Sequence, residues 1–176
     1  LQWCAEHCPI LHDVRMGTRK LNPMIGSRPH VRLRRLLLIV QRAVQQGRYH
    51  SAFSYSWAYA FLLRVPSELF AQLRPAIVDV TEDRVFFGPI HRKGDLHPRA
   101  VLQAECCCDT QPLICAHKWA QWLLSLQLPD HTVIFGREMY SSFVDELRQD
   151  LKEVGVDPQE AQAVASHAFR HGAALD

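Results

Sequence analysis

The chain has 176 residues, 48% of them hydrophobic and 22% charged, a size and balance that suit one globular domain with its own core. Its longest apolar stretches, Leu36 to Val40 and Trp57 to Leu63, fall far short of the roughly 20 residues needed to cross a bilayer, so no membrane partner is expected. The net charge of +2 hides an asymmetry: residues 1–50 hold nine Lys/Arg against two Asp/Glu, a net of +7, and residues 51–176 hold eleven against sixteen, a net of −5.

The basic part is concentrated in Arg15, Arg19, Lys20, Arg28, Arg32, Arg34 and Arg35. Such a cluster is the footprint of a surface that neutralises phosphates, and equally the solvated outer face of a basic helix. Residues 1–27 hold Cys8-Pro9, Asn22-Pro23 and Gly26 with no sustained period, the pattern of a linker. Residues 1–24 are therefore expected to be the tail of a preceding domain with its linker, and residues 25–176 one domain. The first residues carry neither an initiator Met nor a basic-then-apolar leader, so a chain cut from a longer one is expected. Three of the six cysteines are consecutive, Cys106 to Cys108, and neighbours cannot easily pair with one another. The expectation is a reduced intracellular protein, nuclear if its source is eukaryotic.

From Val31 to Gln46 the residues Leu33, Leu36, Leu37, Val40 and Val44 recur at three and four, which predicts a helix with arginines on its other side, ended by Gly47. A second helix is predicted from about Ser51 to Leu63, apolar and aromatic on most sides, and a third after Pro66. The period then changes. Ile77-Val78-Asp79-Val80, Arg84-Val85-Phe86-Phe87 and Arg99-Ala100-Val101-Leu102 read as short strands of one antiparallel sheet, the last two joined by the polar connection His91-Arg92-Lys93-Gly94-Asp95. Helices return over 113–126 and 138–154, with Gly155 closing the latter and Pro158 opening a short one. Ser166 is the predicted N-cap of a last helix reaching Ala174. The sum is a mainly helical α+β domain with one small sheet.

Three segments place cationic or imidazole groups where packing alone does not ask for them. Arg64 interrupts an apolar run just before a proline; its guanidinium either pairs with Glu68 four positions on, or presents a fork of donors to a phosphate with that carboxylate orienting it. Lys93 sits at the hairpin tip, where a solvated lysine is ordinary. His167-x-x-Arg170 puts an imidazole and a guanidinium on one helical face. Cys106, Cys108, Cys115 and His117 are residue types that zinc prefers. Their spacing, C-x-C-x6-C-x-H, is no standard finger, however, and the sequence favours thiols that serve as packing residues, with no metal.

The order Arg, Lys, His-x-x-Arg resembles that of the tyrosine recombinase (phage integrase-like) family, including the recombinases of eukaryotic mobile elements, over roughly residues 25–176. Leu63-Arg64-Val65-Pro66-Ser67-Glu68-Leu69 resembles the family's G-L-R-x-S-E-L with one extra residue. Lys93, with Arg92 beside it, falls where the family has its hairpin lysine, and His167-Ala168-Phe169-Arg170-His171 resembles H-x-L-R-H. The resemblance implies the helical catalytic core of a DNA breaking-and-rejoining protein that acts in recombination and integration by phosphodiester transesterification. It implies that Arg64 and Arg170 stabilise charge on the non-bridging oxygens without a metal or other cofactor. Lys93 would protonate the leaving 5′-oxygen, and His167 would handle the nucleophile's proton. The implied partner is double-stranded DNA, held through Arg28, Arg32, Arg34, Arg35 and Arg92, with a homo-oligomer forming on it.

In the family a further His or Trp and then the nucleophilic tyrosine follow H-x-x-R, whereas Tyr49, Tyr55, Tyr59 and Tyr140 all precede it here. These 176 residues are thus expected to bind DNA without cleaving it. The alternative is a recombinase-derived DNA-binding or protein-interaction domain without catalysis, a zinc-binding one included. An interaction domain predicts Arg64 and Arg170 far apart and each paired with a carboxylate; the recombinase reading predicts that they converge with His167 on a common cleft beside Lys93.

Overall fold

Helix α1, Leu33–Gln45, buries Leu36, Ile39, Val40 and Ala43 along one stripe at the expected period. Gly47, at φ +72°, turns the chain out of it. The computed structural model describes residues 29–70, 74–90, 100–134, 139–165 and 167–176. Arg28, Arg92, Lys93 and Ser166 lie outside the described residues.

Helix α2, Tyr49–Ala60, is buried continuously from Ala52 to Ala58 and forms the axis of the core. It starts two residues before the predicted helix and ends three residues before the predicted end. Leu62 adopts φ +54°, and the Leu63 N–H reaches back to Ala58 O at 2.9 Å. This closure usually takes glycine; a leucine there carries backbone strain of about 1–2 kcal/mol. The helix predicted after Pro66 is instead a single wide turn over Val65–Leu69, in which Phe70 N–H bonds Val65 O across five residues at 3.1 Å.

The period-2 runs form one antiparallel sheet in the order β1-β2-β3, with β1 Val78–Val80, β2 Arg84–Ile90 and β3 Ala100–Glu105. Val85 and Phe87 of β2 point into the core while Arg84 and Phe86 are half-buried, the alternation of a sheet with one covered face. The β2–β3 register, Arg84 opposite Glu105 through Ile90 opposite Ala100, confirms the predicted hairpin. Helix α3, Ala116–Ser125, lies against all three strands. It begins three residues later than predicted, because residues 112–114 form a turn whose Leu113 carbonyl accepts from Trp119 Nε1 at 2.8 Å.

Helix α4, Met139–Glu153, packs on α1 and is followed by Gly155 at φ +87°. Asp157 caps the short α5, Pro158–Ala163, by accepting from the N–H groups of Gln159 and Glu160. Helix α6, Ala168–Ala173, returns to α2 and begins one residue after His167, which occupies the N-cap position without a side-chain capping bond. Phe169 stacks on Tyr55 with centroids 5.7 Å apart and lies 6.2 Å from Phe143. Gly172 passes so close to the Val31 carbonyl that a Cβ there would meet the oxygen at 1.8 Å. No helix among the described residues is long and apolar enough to cross a membrane.

Candidate functional site

Among the described residues, four arginines of the basic N-terminal part make internal ion pairs. Arg32 bonds Asp176 at 2.9 Å, Arg35 forms a two-pronged pair with Glu160, Arg42 pairs with Glu153, and Arg48 grips Asp150 with Nη2–Oδ1 at 2.5 Å and Nη1–Oδ2 at 3.1 Å. The arginines of the basic N-terminal part thus meet carboxylates of α4, α5 and the residues after α6. Of the four candidates for backbone neutralisation, Arg32 and Arg35 are engaged in this way. Arg34 is exposed and has no ion pair with any described carboxylate.

Seven described arginines are half-buried, at 35, 42, 48, 64, 84, 148 and 170. Five of them carry ion pairs with described carboxylates: Arg35, Arg42, Arg48, Arg84 and Arg148. Arg64 and Arg170 do not. Drawing a guanidinium out of water is costly unless an anion or several acceptors replace the hydration, so these two positions differ from the other five.

The Glu68 alternative is resolved by geometry. Glu68 is 1% exposed, and its Oε2 accepts from the backbone N–H of Arg64 at 2.9 Å. Its other oxygen, Oε1, is buried with no hydrogen-bond partner among the described residues. The carboxylate therefore holds the backbone at Arg64, in the manner of a capping box stretched by one residue. The wide turn of Val65–Leu69 is what lets Glu68 reach back across the extra residue.

Arg64 follows directly on α2, and Arg170 lies on α6, which packs along α2. His167 is exposed at the start of α6, with its ring 6.3 Å from that of His171. Lys93 belongs to the stretch between β2 and β3, outside the described residues. Three concavities among the described residues are lined by other groups: one beside Lys152 and Pro158, one between Tyr49, Trp119 and Trp122, and one between His50, Phe70 and Glu146.

Two of the four tyrosines are committed to the fold. Tyr55 is fully buried and donates to Asp150 Oδ2 at 2.9 Å. Tyr59 donates to Asp176. Burial first, and then the neighbouring carboxylate, pushes both phenols well above the ordinary tyrosine range, the reverse of what a nucleophile needs. Tyr140 packs edge-on against Phe70, and Tyr49 lies against Trp122.

The second cluster of chemically capable groups lies at the far end of the sheet. Cys115 Sγ stands 3.4 Å from Cys108 Sγ and 3.9 Å from Cys106 Sγ, and accepts from Cys107 N–H at 3.3 Å. Ligand atoms of Cys106, Cys108 and His117 all lie within 4.8 Å of one another. The sequence reading named Cys106, Cys108, Cys115 and His117 but favoured packing thiols; spacing gave no sign that the loop brings Cys106, Cys108 and His117 within reach of one another, with the Cys115 sulfur beside the first two. Burial pushes the Cys115 thiol up, but the nearby backbone N–H groups of Lys118 and Cys107 and the two facing thiols outweigh it and bring it down to about 7. Burial raises Cys108 to about 12.

Compared with protein-family models, curated proteins and solved structures, the chain gives no match.

Proposed function

We propose that the chain is the larger part of a tyrosine recombinase-like catalytic domain, and that Arg64 and Arg170 form its phosphate-binding pair. The observation that carries this reading is the pair's exception to the rule followed by the other half-buried arginines: neither has an ion pair with a described carboxylate. A DNA phosphate supplies the missing anion and matches a guanidinium's fork of donors. Glu68 positions the Arg64 backbone, and the closure at Leu62 directs the chain into that turn. Strained backbone beside a ligand-binding group is a recurrent arrangement.

In this reading the two guanidiniums stabilise the charge that builds on the non-bridging oxygens as a hydroxyl attacks phosphorus and the 5′-oxygen departs. Lys93 protonates that leaving oxygen, and His167 takes the proton of the attacking group. No tyrosine within these residues follows the His-x-x-Arg motif, and Tyr55 and Tyr59 are held by carboxylates. The 176 residues therefore bind the scissile phosphate without becoming joined to it.

The test uses a nicked suicide duplex, on which any covalent adduct appears as a shifted band on a denaturing gel. The chain should shift the duplex on a native gel and give no adduct. Arg64→Ala and Arg170→Ala should each weaken binding to the duplex. An adduct formed by the chain itself would show that Tyr49, Tyr140 or another nucleophile acts and that the mapping is wrong. Binding that is indifferent to both substitutions would favour the interaction-domain alternative.

A further inference from the structure

Cysteine is among the residues most often buried, and thiols that serve only packing sit inside. The run Cys106 to Cys108 departs from this: Cys106 is exposed and its two neighbours are half-buried. Cys106 and Cys108 are two positions apart in the loop and turn that follow β3. Cys107, between them, directs its sulfur to Gln111 O. The loop then doubles back through bonds from Gln111 and Thr110 N–H to Cys107 O and delivers Cys115 at the start of α3.

His117, on the first turn of that helix, is 4% exposed. One ring nitrogen, Nε2, lies 2.9 Å from the Thr81 carbonyl. A carbonyl only accepts, so Nε2 carries the proton and Nδ1 is left with a free lone pair. Nδ1 is buried and has no hydrogen-bond partner among the described residues. An imidazole whose tautomer is set by a backbone carbonyl, with its other nitrogen bare, is the arrangement a metal-ligating histidine adopts.

We propose that Cys106, Cys108, Cys115 and His117 bind one zinc ion as a tetrahedral Cys3His site. The sulfur separations of 3.4 and 3.9 Å bracket the roughly 3.5–3.8 Å that ligand atoms take around a four-coordinate zinc with ordinary bond lengths. The thiols lose their protons to water as the bonds form, and Nδ1 donates its lone pair directly. Three thiolates and an imidazole are soft enough to prefer zinc over magnesium or calcium, and four protein ligands leave no open position for catalysis. The ion is structural. It ties the end of β3 to the start of α3 and, through His117 and Thr81, to the β1–β2 turn, bracing the sheet at that end.

The experiment uses the whole 176-residue chain, purified under reducing conditions and dialysed. Elemental analysis should find about one zinc per chain, and Co2+ alone should replace it with the intense visible bands of tetrahedral cobalt and a thiolate charge-transfer band. Cys108→Ser should lose that charge-transfer band, whereas Cys107→Ser should keep it. Alkylation of the unmutated protein followed by mass mapping guards against a variant that merely misfolds. By exposure alone Cys106 should react first; with zinc bound it should be protected along with Cys108 and Cys115 while Cys107 reacts, and chelation should restore its reactivity. Substoichiometric metal, a pale octahedral cobalt spectrum, or a chain lighter by two protons through a Cys108–Cys115 disulfide would each overturn the proposal.

Discussion

Tyr55 donates its hydroxyl to Asp150 Oδ2 at 2.9 Å across the interface between α2 and α4, and the same carboxylate receives both Nη groups of Arg48. Asp150 is 2% exposed. Removing it leaves a buried phenol and a cation without their acceptor. Asp150→Ala should destabilise the fold by about 3 kcal/mol, the lower end of the range for breaking a buried pair, because the Arg48 side chain keeps 29% exposure. Urea unfolding should show a lower midpoint with an unchanged slope.

The same contact makes stability depend on alkaline pH. Burial, reinforced by the Asp150 charge, raises the Tyr55 phenol far above its ordinary value. A group with a raised folded pKa contributes stability that is complete below its unfolded pKa and is lost as pH climbs above it. Above roughly pH 10 the advantage of the native protein over Tyr55→Phe should shrink by about 1.4 kcal/mol per pH unit. Parallel stability curves for the two proteins between pH 9 and about 11.5 would show that the phenol is not desolvated.

Gly172 is required by close approach, since a Cβ would strike the backbone oxygen of Val31 and the carbonyl carbon behind it at 2.5 Å. Backbone cannot yield as a flexible side chain does. Gly172→Ala should cost about 3 kcal/mol or more and push α6 off α1 and α2. Because α6 carries Arg170, the variant should lose DNA affinity at temperatures where circular dichroism still reports a folded chain.

The arginines should separate into two classes in one gel-shift and melting series. Arg64→Ala and Arg170→Ala should each reduce duplex affinity about tenfold or more, from loss of hydrogen bonds to a charged group worth roughly 1.5–3 kcal/mol. Arg34→Ala should weaken binding to unrelated sequences alike and lower the salt slope by about 0.9 if it touches one phosphate. Arg35→Ala should do neither; its half-exposed pair with Glu160 is worth about 0.5–1 kcal/mol of stability. An Arg35 variant that binds as poorly as the Arg64 variant would reverse this division.

Features that depend on short range are legible in the amino-acid order alone. The apolar recurrence of α1, the buried run of α2, the period-2 strands, the Gly155 stop and the Pro158 start are properties of neighbours within a turn or a pleat, and each appears where the pattern placed it within a few residues. The helix predicted after Pro66 is the local exception, a single wide turn in which Glu68 accepts from the Arg64 N–H. The ion pairs of the basic N-terminal part join residues far apart along the chain. Arg35 and Glu160 are 125 positions apart, and Arg48 and Asp150 are 102 apart, so four of the five described basic residues of the N-terminal part, Arg32, Arg35, Arg42 and Arg48, are held in internal ion pairs. Whether Arg64 meets Glu68 through its guanidinium or its backbone depended on the closure at Leu62. Cys106 and His117 lie close in the sequence, yet only the sheet beneath them, with Thr81 fixing the imidazole tautomer, brings Cys106, Cys108 and His117 together despite an irregular spacing. Local periodicity reports which face of an element is apolar; it carries no information about which distant group that face will meet.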